Sequence, residues 1–302
     1  MWTQIQYALI YGWIKLHALL PMSVLYVLSD FLYFIVYRVI RYRVSVVRRN
    51  LKAAFPEKSN KELLLLEKKF YHHFADYVVE TLKLAHISLE ELQKRAYVQN
   101  PELIDQLMDK GNPCCLLLMG HFGNWEWYSG STSRFKDACL YQIYRPLNNK
   151  AVDKLFIHLR TKFGSFGIPK NDTGREVVRL VRNKVRSAVI FLADQTPSPS
   201  NLHYWTNFLN QDTAILTGAE RLARKLNTPV VFLDVQMLER GYYTLEMQLI
   251  TDNPKETPEN WITEEYARRM EKSILRKPEG WLWTHKRWKY KRSDAVTHHG
   301  NN

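Results

Sequence analysis

His121-Phe122-Gly123-Asn124-Trp125-Glu126 places an imidazole and a carboxylate five positions apart. The run Cys114 to Met119 before it is apolar and reads as a buried strand of about 5–6 residues. Gly120 lets the chain turn sharply at the strand's carboxyl end, where open α/β sheets place their ligands. On one helix, residues five apart lie about 140° around the axis and share no face. His121 is therefore expected in the loop and Glu126 in the first turns of a following helix, with Asn124 as N-cap. Glu126 would then hold one imidazole nitrogen, and the other would take a proton from a substrate hydroxyl. The competing reading of the spacing is a structural histidine satisfied by a helix cap.

Other polar residues stand where they could serve the same chemistry. Asp194 ends the apolar run Ala188 to Ala193 and so emerges at a strand tip, as His121 does. Two converging tips would make a catalytic edge; alternatively Asp194 caps a turn before Pro197 and Pro199. On segment 149–163, Asp153 and Arg160 flank an apolar stripe about 20° off one line, as an ion pair or as a site facing a cleft. Arg175, Arg179, Arg182 and Arg186 fall within about 60° of each other on a helix over 173–186. They form a solvated face or a docking strip for an acidic carrier or lipid phosphates. The stretch Trp281 to Arg292 interleaves four aromatics with six basic or histidine residues. It suits a bilayer headgroup layer, a nucleic acid, or a buried strand end with a basic tail. Thr217-Gly218-Ala219 opens a helix whose backbone a headgroup or donor could approach.

The hexapeptide resembles the H-x4-D/E signature of glycerolipid-type acyltransferases, in its H-x4-E form. Tyr144-Arg145-Pro146 with Asn148 and Asn149, then Ala193-Asp194-Gln195, then Trp283 to Trp288, resemble in order and spacing the late (secondary) lipid A acyltransferases of Gram-negative bacteria. The likeness runs from about residue 20 to 290. It implies a transfer of a fatty acyl chain from acyl-carrier protein to a hydroxyl of an anionic, acylated glycolipid, the lipid A precursor. It further implies roles for Arg160 and Asp194, with Arg145 and Arg160 binding phosphate or polarising the thioester carbonyl. No metal, cofactor or nucleic acid is implied. An acceptor of another kind (aminolipid, glycolipid or lysophospholipid) fits the same apparatus.

The elements that must hold these residues follow from periodicity. Residues 60–83 read as a helix, and a second short one begins at Leu89. Strands are expected at 114–119, 139–144, 187–193, 229–236 and 243–250. Helices are expected from about 124 and at 149–163, 173–186, 213–226 and 261–275. This alternation defines an α/β fold, a mixed central sheet flanked by helices, glycerolipid-acyltransferase-like. Ala18 to Val39 is apolar enough to span or dip into a bilayer. Arg38, Arg41, Arg43, Arg48, Arg49 and Lys52 after it would keep the remainder cytoplasmic, at the inner membrane. The expected domains are a membrane anchor over 1–45, an acyltransferase domain over 46–292 and a flexible tail over 293–302.

With 302 residues and 46% apolar content, the chain can bury a sizeable core. Its net charge of +13 calls for an anionic partner. A nucleic acid is one candidate, but no zinc-finger spacing, P-loop or dinucleotide fingerprint is present. Cys114, Cys115 and Cys139 suggest no disulfide framework. Cys115 lies about 20 Å along an extended strand from His121 and is poorly placed as a nucleophile.

Overall fold

The structure is a computed structural model and describes residues 2–294. Five helices come first: α1 (Trp2–Ala18), α2 (Met22–Tyr33), α3 (Val44–Ala54), α4 (Asn60–Lys83) and α5 (Leu89–Arg95). The αβ portion follows as β1 (Ala96–Val98), α6 (Glu102–Asp109), β2 (Cys114–Met119), β3 (Cys139–Tyr144), α7 (Lys150–Thr161), β4 (Phe166–Pro169), α8 (Thr173–Arg182) and β5 (Ser187–Leu192). It ends with β6 (Tyr204–Phe208), β7 (Gln211–Ile215), α9 (Gly218–Leu226), β8 (Val230–Glu239), β9 (Tyr242–Thr251) and α10 (Trp261–Arg276).

Seven strands form one mixed sheet in the order β1-β9-β8-β2-β5-β3-β4, and β6 with β7 makes a separate hairpin. All pairings in the large sheet are parallel except β8 with β9. The fold is the α/β class the periodicity implies. Every residue of β2 is buried, as an unbroken apolar run between two parallel neighbours requires. Burial pushes the Cys114 thiol up to about 11 and the Cys115 thiol higher still, which keeps both inert.

Local chemistry explains where the elements depart from expectation. The helix expected from residue 213 begins only at Gly218, because Leu209 and Asn210 both adopt positive φ (51° and 61°). Two left-handed residues in succession make a tight hairpin turn and pair β6 with β7. The segment after Asn124 winds as a tighter 3₁₀ helix, Trp125–Arg134. Gly130 weakens a regular α-helix there, and Ser133 Oγ donates to the Gly130 carbonyl. Helix α8 stops at Arg182, and Lys184 (φ 55°) turns the chain, so Arg186 is not on the arginine face.

The amino-terminal helices attach through a mixed face, with Ile14, Ala18, Met22 and Leu25 buried beside polar contacts to α4. Met22–Val39, α2 with the wider π-helical turn Phe34–Val39 that continues it, is long and apolar enough to cross a membrane. Yet Ser29 Oγ donates to Asp76 (2.6 Å), Tyr26 OH to Glu80 (3.1 Å) and Tyr37 OH to Glu67 (2.8 Å), all acceptors on α4. Arg240 ties Asp30 and Asp76 together, and Lys83 Nζ donates to the carbonyls of Ala18 and Leu20 at the α1–α2 corner. The opposite side is apolar and open: Val27 is 68% exposed, Phe31 65% and Leu9 70%. Of the tail expected over 293–302, residues 295–302, with His298 and His299, lie outside the described residues.

Candidate active site

Parallel register builds the centre. Met119 of β2 pairs with Leu192 of β5. Two residues further along each strand, His121 and Asp194 come together at the carboxyl edge. His121 Nδ1 lies 2.6 Å from Asp194 Oδ1, and the His121 backbone N–H donates to Asp194 Oδ2 at 2.8 Å. An ionised carboxylate only accepts, so Nδ1 carries the proton and Nε2 is the basic nitrogen. Nε2 faces the Gln195 amide nitrogen at 3.2 Å, and Trp125 meets the ring edge-on at 5.0 Å. The His121 side chain is 14% exposed against 2% for Asp194, so the base reaches solvent while its partner does not.

Burial would raise the Asp194 carboxyl. The His121 ring, the His121 N–H and the Trp281 indole N–H (2.8 Å) outweigh it and bring the group down to about 2. Gly120 and Gly123 permit the turn between strand and 3₁₀ helix. A Cβ on Gly120 would lie 2.5 Å from Met270 Sδ, and Gly123 has φ +60°.

Glu126 does not hold the imidazole. Both its oxygens accept from Arg160, Oε2 from Nε at 2.7 Å and Oε1 from Nη2 at 2.6 Å, an in-plane pair with Glu126 3% exposed. The tight 3₁₀ winding turns Glu126 toward α7, leaving His121 to the neighbouring strand tip. Asn124 does occupy the N-cap position, but its side chain makes no cap hydrogen bond; its Nδ2 donates to Glu80 instead. Arg160 thus pairs with Glu126 and not with Asp153, whose Oδ1 caps the Leu147 N–H. The fork leaves Arg160 Nη1 uncommitted to Glu126. Arg145 is exposed just past β3 and pairs with no described carboxylate.

A carboxyl-terminal strap closes the centre. Phe122 and Trp281 form an antiparallel bridge, the Leu282 N–H donates to the His121 carbonyl (3.1 Å), and Gly123 N–H to the Gly280 carbonyl (2.9 Å). Thr196 N–H donates to His285 Nε2, so that ring is neutral, and burial lowers it to about 4. Asn50 Nδ2 donates to the carbonyls of Trp283 and His285. Trp281, Trp283 and Arg287 are buried in turns with an isolated bridge at Trp281 in place of the expected strand end, and Lys286, Lys289, Lys291 and Arg292 face outward. Burial draws the Arg287 guanidinium down to about 10. Trp281 and Asn50 therefore belong to the centre, although spacing gave no reason to assign them to it; the apolar context of Trp-x-Trp was the available signal.

The arginine strip of α8 is largely self-neutralised, Arg175 by Asp172 and Arg179 by Glu176, while Arg186 pairs with Asp109. Thr217, Gly218 and Ala219 do open α9, as expected. Phe70, Phe74, Tyr77, Trp125 and Trp281 line an apolar depression beside His121. Among the described residues no group of His, Cys, Asp and Glu could hold a metal ion.

Fold and centre together define an α/β protein with a carboxylate-held imidazole at the carboxyl edge of its sheet. Residues 2–290 match the family of bacterial lipid A biosynthesis acyltransferases, and the chain belongs to that family. It is accordingly an acyl-transferring enzyme of lipid A biosynthesis. No curated protein matches the chain.

Proposed function

We propose that the enzyme moves a fatty acyl chain from acyl-carrier-protein thioester to a hydroxyl of an anionic lipid A precursor, at the cytoplasmic face of the inner membrane. The observation that carries this reading is the 2.6 Å contact of Asp194 with His121 Nδ1, which leaves Nε2 as a base at the protein surface. The acceptor hydroxyl replaces Gln195 at Nε2 and gives up its proton as its oxygen attacks the thioester carbon. Asp194 stabilises the imidazolium so formed. The proton then passes from Nε2 to the departing carrier thiolate, so no covalent enzyme intermediate is needed. Arg160, fixed by Glu126 through one edge of its fork, offers Nη1 to the developing oxyanion. The net charge of +13 favours both an acidic carrier and a phosphorylated acceptor.

The test is acyl transfer measured by mass spectrometry on membranes supplied with acyl-carrier-protein donor. His121→Ala should lose about 10²–10⁴-fold in rate, and Asp194→Asn a comparable factor in kcat with little change in KM. Glu126→Gln should act through Arg160 and leave the pH profile of turnover unmoved. Wild-type rates in the His121→Ala protein would end the reading, and a product on a different lipid would redirect it to another acceptor.

A further inference from the structure

Three local anomalies coincide where α2 gives way to α3. Phe34–Val39 is π-helical, with Ile40 N–H donating to the Ile35 carbonyl at 2.8 Å, and such turns concentrate at functional positions. Arg41 and Arg43 both have φ of +54°, a left-handed conformation that side-chain-bearing residues adopt at a cost. Between Asp30 and Glu57 the chain carries six cations and no acid. Tyr37, Arg38, Arg41, Val44, Arg48 and Leu64 there line an open cleft of about 320 Å³.

Charge in the cleft is only partly answered. Arg48 gives Nε and Nη2 to Glu67, whereas Arg38 and Arg41 meet no carboxylate among the described residues. Phe34, Val39 and Ile40, close in sequence to the cleft's lining residues, are exposed apolar side chains that lipid chains could meet. From Tyr42, next in sequence to Arg41, an aromatic lane leads to the His121 imidazole. Tyr42 stacks on Phe74 (6.0 Å), Phe74 on Tyr77 (6.4 Å), Tyr77 on Trp125 (4.2 Å), and Trp125 meets His121 at 5.0 Å. Glu67 and Tyr77, which mark the two ends on α4, are separated by about 15 Å of helix.

We propose that Arg38, Arg41 and Arg48 form a subsite for a phosphate of the acceptor glycolipid, seating its headgroup at the bilayer edge while the reacting hydroxyl reaches His121 along the aromatic lane. This rests on the acyl-transfer reading for the identity of the acceptor, not for the anion chemistry. Guanidinium forks match phosphate oxygens, and two unpaired arginines beside a half-neutralised third suit one such anion.

The test measures binding rather than turnover, by tryptophan fluorescence of the full chain in dodecyl maltoside. The probes are lipid A and the same lipid stripped of its phosphates. Wild type should bind the phosphorylated form about tenfold or more tightly, and Arg38→Gln/Arg41→Gln should lose most of that preference. Both residues are exposed, and an unchanged thermal melt will show that the variant folds. Flotation on phosphatidylglycerol vesicles should be alike for the two proteins. Equal affinity for both lipids in wild type, or a variant that keeps the preference, overturns the subsite. A variant that keeps it but no longer floats would assign the cleft to bulk headgroups instead. Phosphate preference in a preparation without transfer activity upholds the subsite and counts only against the acyl-transfer reading.

Discussion

Asp194 illustrates how far single residues can be read. Its position at a strand tip was legible from the apolar run before it, and so was its convergence with His121. Its partnership with the imidazole was not, because pairing between strands 73 residues apart depends on register, and one sequence does not display register. Local spacing pointed instead to Glu126, whose carboxylate the 3₁₀ turn carries to Arg160. Three donors hold Asp194, and the Trp281 indole is the one that can be removed without touching the base. Trp281→Phe should raise the Asp194 pKa from about 2 and slow turnover by about tenfold, the cost of one hydrogen bond to a charged group. Ordinary stability of that variant with wild-type kcat would show that the indole only packs.

At the scale of elements, Glu80 joins parts that are distant in sequence. Its carboxylate accepts from Tyr26 on α2, Asn124 in the loop after His121 and Tyr243 on β9, and its carbonyl accepts from the Trp127 indole. The apolar stripe of α4 was visible as helical spacing; that a buried acid interrupts it to meet three elements was not, since partners are set by packing. Burial raises the Glu80 carboxyl from 4.5 to about 7 against the pull of its donors. An acid whose folded pKa is raised favours the fold most below its unfolded pKa, and that advantage is lost as pH climbs through the folded value. The Glu80 contribution should therefore fall by roughly 3 kcal/mol between about pH 4.5 and 7 and level off above, while His285, lowered from 6.5 to about 4, contributes with the opposite sign across much of that window. Urea titrations across this window should show Glu80→Gln gaining stability relative to wild type as pH rises, because the His285 contribution is common to both proteins. Parallel profiles would mean that the carboxyl ionises as freely in the fold as in the unfolded chain.

Across the whole molecule, the question is how the protein meets the bilayer. Composition made Ala18 to Val39 a membrane segment, and it is apolar enough, but composition is blind to which side a helix turns inward. Here α2 binds α4 through Ser29–Asp76 and Tyr26–Glu80 along its length and turns Val27 and Phe31 outward. Crossing the hydrocarbon would strip those hydrogen bonds and leave the Ser29 and Tyr26 hydroxyls without acceptors among lipid chains, at several kcal/mol for each unsatisfied group. Arg240 would still hold Asp76, and Asn124 and Tyr243 would still hold Glu80. A helix lying in the interface keeps them and still buries its apolar side. In that arrangement the arginine cleft and His121 would lie on the same side of the membrane as the rest of the chain. Ser23, at the start of α2, and Arg41, beyond its end, are both exposed. In a spanning helix they would stand on opposite sides. Single cysteines introduced as Ser23→Cys and Arg41→Cys should therefore both react with an impermeant maleimide in inverted membrane vesicles, and neither in right-side-out ones. Labelling of the two positions from opposite sides would mean that α2 leaves α4 and crosses.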